Sequence, residues 1–290
     1  MKLRRSTAGR TVTIVSLALA LVGATGLAAA AITGGVADGE GHPNVGLIGY
    51  YDATGRSRCS ATLVSPTVLV TAAHCTDGTL GRTGVKFDSV IAENPPSPLP
   101  PAKDPAAGYT TAELEANGWL AGTAYTHPDY SHFTDKANWN DVGVIVLDRP
   151  VVGITPAVIA PVHYLDRFTP NVLNTTLFTA VGYGTEVRKA ETGPQKPTPM
   201  TYPLIRRVAE LPGQKLTPQI LQTNGNENDP RGTGGTCSGD SGGPAFQGGY
   251  QVTVTSYSNT TICRYINGFQ RIDIPVVHKW LAQFGVTAAT

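Results

Sequence analysis

The chain has 290 residues, of which 15% are charged, with 33 glycines, 22 prolines and a formal net charge of +1. That length allows one large or two medium domains with real cores. The Gly and Pro content with so few charges fits a β-rich, turn-rich protein. Coiled coils, solenoids and disordered charged tails are excluded, since no heptad pattern, no repeat of about 20–50 residues and no long charge block occurs.

In chain order, residues 1–31 stand apart. Lys2, Arg4, Arg5 and Arg10 make a basic start, an apolar run follows from about 12 to 27, and small residues close it at 28–31. Ala29-Ala30-Ala31 satisfies the small-x-small rule of signal peptidase, so we expect residues 1–31 to be a signal peptide cut before Ile32. The competing reading is an uncleaved membrane anchor, because the run is almost long enough to span; the alanine-rich exit favours cleavage. Arg4-Arg5 also fits a twin-arginine export route, although two arginines in such a start are common. Cleavage removes four basic groups and no acid, leaving 18 basic against 21 acidic groups, or about −3. A weakly acidic body gives no electrostatic case for nucleic acid or an anionic membrane.

Short runs rich in β-branched and aromatic residues recur at 45–51, 60–64, 68–72, 142–147, 177–181 and 250–257. Turn residues separate them, and 251–255 alternates with period two, which is the pattern of an all-β sandwich or barrel. The spacing predicts a short helix over 111–116. It predicts another from Pro275, with Val276, Val277, Trp280, Leu281 and Phe284 at helical intervals and Gly285 as the stop. Residues 94–105 hold six prolines without an apolar pattern and read as an extended surface insert. Loops at 189–203 and 224–235 are rich in Pro, Asn, Gly or Asp, and such loops often rim binding sites. A boundary between two halves is expected near 149–155.

Four cysteines, Cys59, Cys75, Cys237 and Cys263, suggest two disulfides in an exported protein. Four cysteines permit three connectivities; the local pairs Cys59–Cys75 and Cys237–Cys263 are the simplest. Zinc-type CxxC or CxxH spacing is absent, so a metal site is a poor alternative and no cofactor is expected.

Three motifs carry chemistry. Thr71-Ala72-Ala73-His74-Cys75 ends an apolar strand. Asn140-Asp141-Val142-Gly143 opens a buried one. Cys237-Ser238-Gly239-Asp240-Ser241-Gly242-Gly243-Pro244 forms a glycine-rich turn. A serine hydroxyl needs a base to take its proton, imidazole titrates near pH ~6.5, and a carboxylate can hold the required tautomer. Together the motifs resemble the chymotrypsin family of serine peptidases, which uses the same order of His, Asp and Ser, and the resemblance spans nearly the whole chain after residue 31.

That resemblance implies two antiparallel β-barrels of about six strands each, over 32–150 and 151–290, with a C-terminal helix and the active site in the cleft between them. It implies Ser241 as nucleophile, His74 as base, Asp141 as orienting acid, and the amides of Gly239 and Ser241 as oxyanion hole. Asp148 is the rival acid, but it ends its strand beside Arg149 and Pro150, where a turn acid belongs. Ile32-Thr33-Gly34-Gly35 is similar to the start of active family members, whose freed amine pairs with the acid before the nucleophile, here Asp240. Signal peptidase would then create that terminus itself.

Gly235 falls where trypsin-like members carry an aspartate, followed by Thr236. The substrate-binding segment maps to Ser256-Tyr257-Ser258, with the opposite wall near Asn267 and Gly268. The implied pocket is uncharged, takes apolar or medium side chains, and disfavours Arg and Lys. Ser256 is also expected to bond Asp141. The family pattern supports the local disulfides: Cys59–Cys75 fixes the His74 loop and Cys237–Cys263 ties the pocket walls. His127 and His132 invite a metal reading, but the family carries a similar His-Pro-x-Tyr loop, so loop packing is preferred. The expected protein is a secreted, monomeric endopeptidase acting on proteins or peptides. The alternatives are an inactive binding protein on the same scaffold and an enzyme acting mainly on esters.

Overall fold

A computed structural model describes residues 32, 34–187, 200–226, 228–260, 263 and 265–289. The proposed signal segment, Thr33 and most of the loop at 189–203 lie outside the described residues.

The first half builds β1 (Val36–Ala37), β2 (Val45–Asp52), β3 (Gly55–Ser65), β4 (Val68–Thr71), β5 (Leu80–Lys86), β6 (Val90–Ala92), β7 (Leu120–Thr126) and β8 (Gly143–Leu147). Six of these close an antiparallel barrel in the order β2-β3-β4-β8-β7-β5. The second half builds β9 (Leu177–Gly182), β10 (Glu186–Val187), β11 (Met200–Thr201), β12 (Leu204–Ile205), β13 (Arg207–Leu216), β14 (Ile220–Asn224), β15 (Pro244–Gln247), β16 (Tyr250–Ser258) and β17 (Ile266–Arg271). The order β13-β14-β17-β16-β15-β9, closed by β9 on β13, is a second six-stranded barrel. The two-barrel fold is thus the one the sequence resemblance implies.

Closure removes free sheet edges and buries one face of every strand. Ile48, Ala61, Leu63, Leu69, Val85 and Ile145 fill the first barrel. Phe178, Ala180, Leu211, Leu221, Val252 and Phe269 fill the second. The N-terminal segment crosses over. Ile32 is fully buried in the second barrel's core, and β1 pairs with β13 there, Val36 opposite Val208.

The sequence-predicted helices occur as α1 (Thr111–Ala116) and α3 (Pro275–Leu281), with the one-turn α2 (Pro170–Leu173) between them. A reciprocal capping box starts α1: the Glu113 amide donates to the Thr110 hydroxyl, and Thr110 donates its own amide to the Glu113 carboxylate. Pro275 stands in the first turn of α3, where its missing N–H costs nothing. Val277, Trp280 and Leu281 pack on Val68, Val70, Val142 and Val144, so α3 clamps the first barrel. Among the described residues no helix is long and apolar enough to cross a membrane.

The proline-rich insert departs from the sequence reading. Leu99 and Ala102 are buried against Tyr51, Tyr109, Leu114 and Trp119. The Tyr51 hydroxyl accepts from the Ala102 amide at 3.2 Å, and the Arg56 guanidinium donates to the Leu99 carbonyl at 2.9 Å. The insert is therefore a fixed wall on the first barrel. Two apolar anchors in twelve residues are too few to show as a pattern.

Candidate active site

His74 lies in the 3-10 turn Ala73–Cys75 that follows β4. The Cys59–Cys75 disulfide ties this turn back to β3, matching the expected pairing. The His74 Nδ1 is 2.9 Å from Asp141 Oδ2. The His74 backbone amide donates to Asp141 Oδ1, also at 2.9 Å. Asp141 is fully buried, just ahead of β8, after Asn140 in a left-handed conformation. Its Oδ2 accepts a third bond from the Ser256 hydroxyl at 2.6 Å, the bond anticipated from sequence. The Trp139 indole N–H in turn donates to Ser256 Oγ at 2.9 Å. A carboxylate with this many donors is fixed in orientation, and it fixes the imidazole. The sequence-level rival, Asp148, is elsewhere, beside Arg82 and Thr111.

Ser241 stands in the turn before β15. Gly239 and Gly242 flank it at φ +96° and +76°, conformations that an L side chain adopts only with strain. A Cβ at Gly242 would also collide with Thr71, so the turn docks directly on the strand leading to His74. The Ser60 amide donates to the Ser241 carbonyl at 2.8 Å. The Ser60 hydroxyl donates to the Gly239 carbonyl and accepts from the Tyr183 amide, each at 2.9 Å. These bonds tie β3 of the first barrel to the turn of the second. Sequence reasoning passed over Ser60, which has no motif of its own.

Asp240 is fully buried. Its carboxylate accepts from the Gly184 amide at 2.7 Å and from the Cys237 amide at 2.8 Å. Burial pushes its pKa up to about 7, although these amides and the charges of Arg58 and Arg207 act in the opposite direction. A single carboxyl so displaced is a poised group.

Next to this turn in the chain stand the residues expected to line a substrate pocket. Gly235 and Thr236 are buried, and the Cys237–Cys263 disulfide braces this edge as expected. Asn267 is fully buried on β17. It accepts from the Thr236 amide at 3.1 Å and donates to the Thr236 carbonyl at 3.1 Å and to the Ser258 hydroxyl at 3.2 Å. Its side chain thus bridges Thr236 and Ser258. Its neighbour Gly268 lies under the Tyr257 ring, while the Tyr257 hydroxyl accepts from Gln222 at 3.0 Å. The sequence reading placed a pocket wall near Asn267 and Gly268; of the two, Asn267 bonds the Thr236 backbone.

An aromatic run was not legible. Phe133 lies 5.5 Å from the His74 ring, Trp139 5.3 Å from Phe133 and Tyr257 5.6 Å from Trp139, measured between ring centres. Phe133 is exposed, so the run offers an apolar shelf beside the imidazole. His127 and His132 do not converge on a common site. His127 meets Trp280 at a tilt with ring centres 4.9 Å apart, and His132 meets Tyr130 likewise at 4.6 Å.

Comparison with known proteins gives a consistent result. The family model described as Trypsin matches residues 47–281. The chain is 28% identical to a brachyurin of Leptuca pugilator over 79% of this chain and 88% of that protein. It is also 28% identical to a trypsin of Saccharopolyspora erythraea over 70% and 76% respectively. The solved structure of HL collagenase superposes with a TM-score of 0.57 at 16% identity, covering 86% of this chain and 95% of that one. The structure of GrC superposes with a TM-score of 0.59 at 18% identity, covering 88% and 99%.

Proposed function

Because the chain belongs to the trypsin family, we propose that it is an exported serine endopeptidase with Ser241 as nucleophile, His74 as general base and Asp141 as orienting acid. The observation that carries this reading is the buried Asp141 carboxylate, bonded at once to the His74 ring, the His74 amide and Ser256. Such a carboxylate keeps the proton of the neutral imidazole on Nδ1 and leaves Nε2 free to accept one. In the proposed reaction, His74 Nε2 takes the Ser241 proton as Oγ attacks the peptide carbonyl. The amides of Gly239 and Ser241 stabilise the oxyanion, a donor of this kind being worth about 3 kcal/mol of the barrier. His74 then protonates the departing amine, and water releases the acyl group by the same steps in reverse.

The pocket of Gly235, Thr236, Asn267 and Ser258 carries no carboxylate, so the reading includes a preference for uncharged side chains over Arg and Lys. Export is read from residues 1–31 and the two disulfides, with signal peptidase freeing the Ile32 amine to pair with Asp240. A buried ion pair adds little net stability, yet removing one member strands a charge at a cost of about 3–5 kcal/mol, which suits a switch.

A fluorophosphonate probe tests the proposal. The chain beginning at Ile32 is expected to be labelled at Ser241, to cleave unmodified peptides, and to lose both properties in Ser241→Ala. A folded chain with that terminus that is never labelled would make it a binding protein on the same scaffold. Turnover of esters without matched amides would narrow it to an esterase. N-terminal sequencing of the secreted product tests cleavage before Ile32.

A further inference from the structure

A cavity of about 460 Å³ opens beside Ser238 and Gly239, walled by Arg56–Arg58 of β3, the proline-rich insert and Tyr202–Leu204. Among the described residues its lining contains two arginines and no acid. Leu47, Leu99 and Leu204 give it an apolar floor, and Ser97, Thr185 and Tyr202 add hydroxyls. Arg56 spends Nη1 on the Leu99 carbonyl, which holds the insert wall upright. Arg58 is different. Its Nη2 is buried and meets no hydrogen-bond partner among the described residues. Its Nε lies 3.2 Å from where a Gly239 Cβ would project, so the guanidinium borders the oxyanion turn. Burial lowers its pKa, with Asp240 and Tyr202 acting the other way. The Asp240 carboxylate is already held by two backbone amides. A half-buried guanidinium with an unpaired Nη2, in a cavity whose described lining holds no acid, has its strongest match in an incoming carboxylate.

The cavity's position says which part of a substrate reaches it. On the peptidase reading above, the scissile carbonyl sits at the Gly239 amide and the acyl portion lies along Ser256–Ser258. The amine portion then leaves on the opposite side, toward the Cys59–Cys75 disulfide and Arg58, which borders Gly239. Resting on the peptidase reading above, we propose that Arg58 makes this cavity a selectivity site for an acidic side chain, Glu or Asp, in the first two residues on the leaving-group side of the cleaved bond. The apolar floor accommodates the methylenes of such a side chain while the guanidinium takes its carboxylate. The enzyme then combines an uncharged acyl-side pocket with a cationic leaving-side one.

Acyl transfer reads this side alone. The enzyme is acylated by a peptide ester with a small alcohol leaving group. The acyl-enzyme is then partitioned between water and added dipeptide amides. In the productive step, the nucleophile's amine forms a new amide bond to the acyl carbon, the bond to Ser241 Oγ breaks, and the proton passes through His74 to Oγ. Ala-Glu-amide, Ala-Gln-amide and Ala-Lys-amide, with their order-reversed counterparts, serve as nucleophiles. The expected result is at least ~10-fold better capture by the Glu nucleophile than by the Gln one in one of the two orders, and poorest capture by Lys. Arg58→Gln should bring the Glu-to-Gln ratio to within ~2-fold of unity while ester hydrolysis stays within ~2-fold of the parent; Arg58→Lys should keep part of the ratio. Equal capture of Glu and Gln by the parent enzyme would overturn the proposal. So would an Arg58→Gln variant that slows every reaction alike and preserves the ratio, because Arg58 would then serve only as a counter-charge to Asp240. Failure of the peptidase reading is distinguishable: the ester itself would not be turned over, and the inference would fall with that reading.

Discussion

Asp240 gives the sharpest test of how processing and stability are coupled. Burial lifts its pKa from 3.8 to about 7, and a rise of about three units is worth about 4 kcal/mol against the ionised form. In the unfolded chain the same carboxyl ionises near pH ~3.9. The fold therefore favours the protonated acid. This contribution to stability is intact below about pH 4 and is lost as the pH rises through about 7. While Ile32 remains peptide-linked, its nitrogen carries no charge and cannot offset that loss. Freed by the proposed processing and paired as proposed, it would supply a cation that favours the carboxylate. The perturbation is processing itself, carried out in a Ser241→Ala background: one form keeps a short extension before Ile32 and the other starts at Ile32. Urea unfolding, followed by tryptophan fluorescence, is measured from pH 4 to 7.5. The stability advantage of the processed form should grow by up to about 4 kcal/mol between pH 4 and 7, which is more than ~1 M in midpoint for a slope near ~3 kcal/mol per M. An advantage independent of pH would refute the pairing of Ile32 with Asp240.

Asn267→Gly removes the side chain spanning Thr236 and Ser258, so kcat/KM should shift toward larger apolar or aromatic residues in a peptide-library profile. Asn267→Asp places a carboxylate at the same point and should raise turnover of Lys and Arg substrates by at least ~10-fold. Ser256→Ala deletes a charge-assisted bond to Asp141, worth about 1.5–3 kcal/mol. It should lower kcat about 10-fold or more with little change in KM, as read by steady-state kinetics. Replacing Cys59 and Cys75 by alanine opens a loop with a sequence separation of 16; the expected loss is about 3 kcal/mol in urea unfolding.

How much of this was visible in the sequence depended on whether one short segment carried the information. The motifs around His74, Asp141 and Ser241 did, because each packs chemistry and turn geometry into a few adjacent residues. The helices at 111–116 and from 275 were likewise legible, the second from its apolar stripe, while the capping box that starts the first became visible only in the structure. Strands β5 and β7 were not. Leu80–Lys86 and Leu120–Thr126 are rich in Gly, Ala and Thr and lack a bulky alternating face. The structure supplies the reason: a Cβ at Gly122 would come within 2.5 Å of Ile145 Cγ2, and one at Gly84 within 2.7 Å of Leu114 Cδ2. Small residues here are demanded by neighbours distant in sequence, so the strand pattern is erased locally. The crossover of β1 to the second barrel was hidden for the same reason, since two residues hold no periodicity. Trp139, and Arg58 in the role proposed for it, are set in place only once the loop before β8 and the proline-rich insert converge on the barrels.

Ser60 shows why the motifs alone do not make the site. Nothing in His74, Asp141 or Ser241 dictates that two separate barrels hold them in register; a catalytic arrangement tolerates errors of well under an ångström before rate is lost. The register is carried by bonds from a fully buried serine of the first barrel to the carbonyls of Gly239 and Ser241 in the second, while Thr71 donates back to the Ser60 carbonyl at 2.8 Å. Gly242 permits this approach, because any side chain there would strike Thr71. The glycine after Ser241 therefore has two jobs: it sets a positive φ beside Ser241, and it leaves room for the strand that leads to His74. The same glycine-rich motif that carries the proposed nucleophile is thus also a surface on which the barrels meet, and His74 and Ser241 are positioned by one set of contacts.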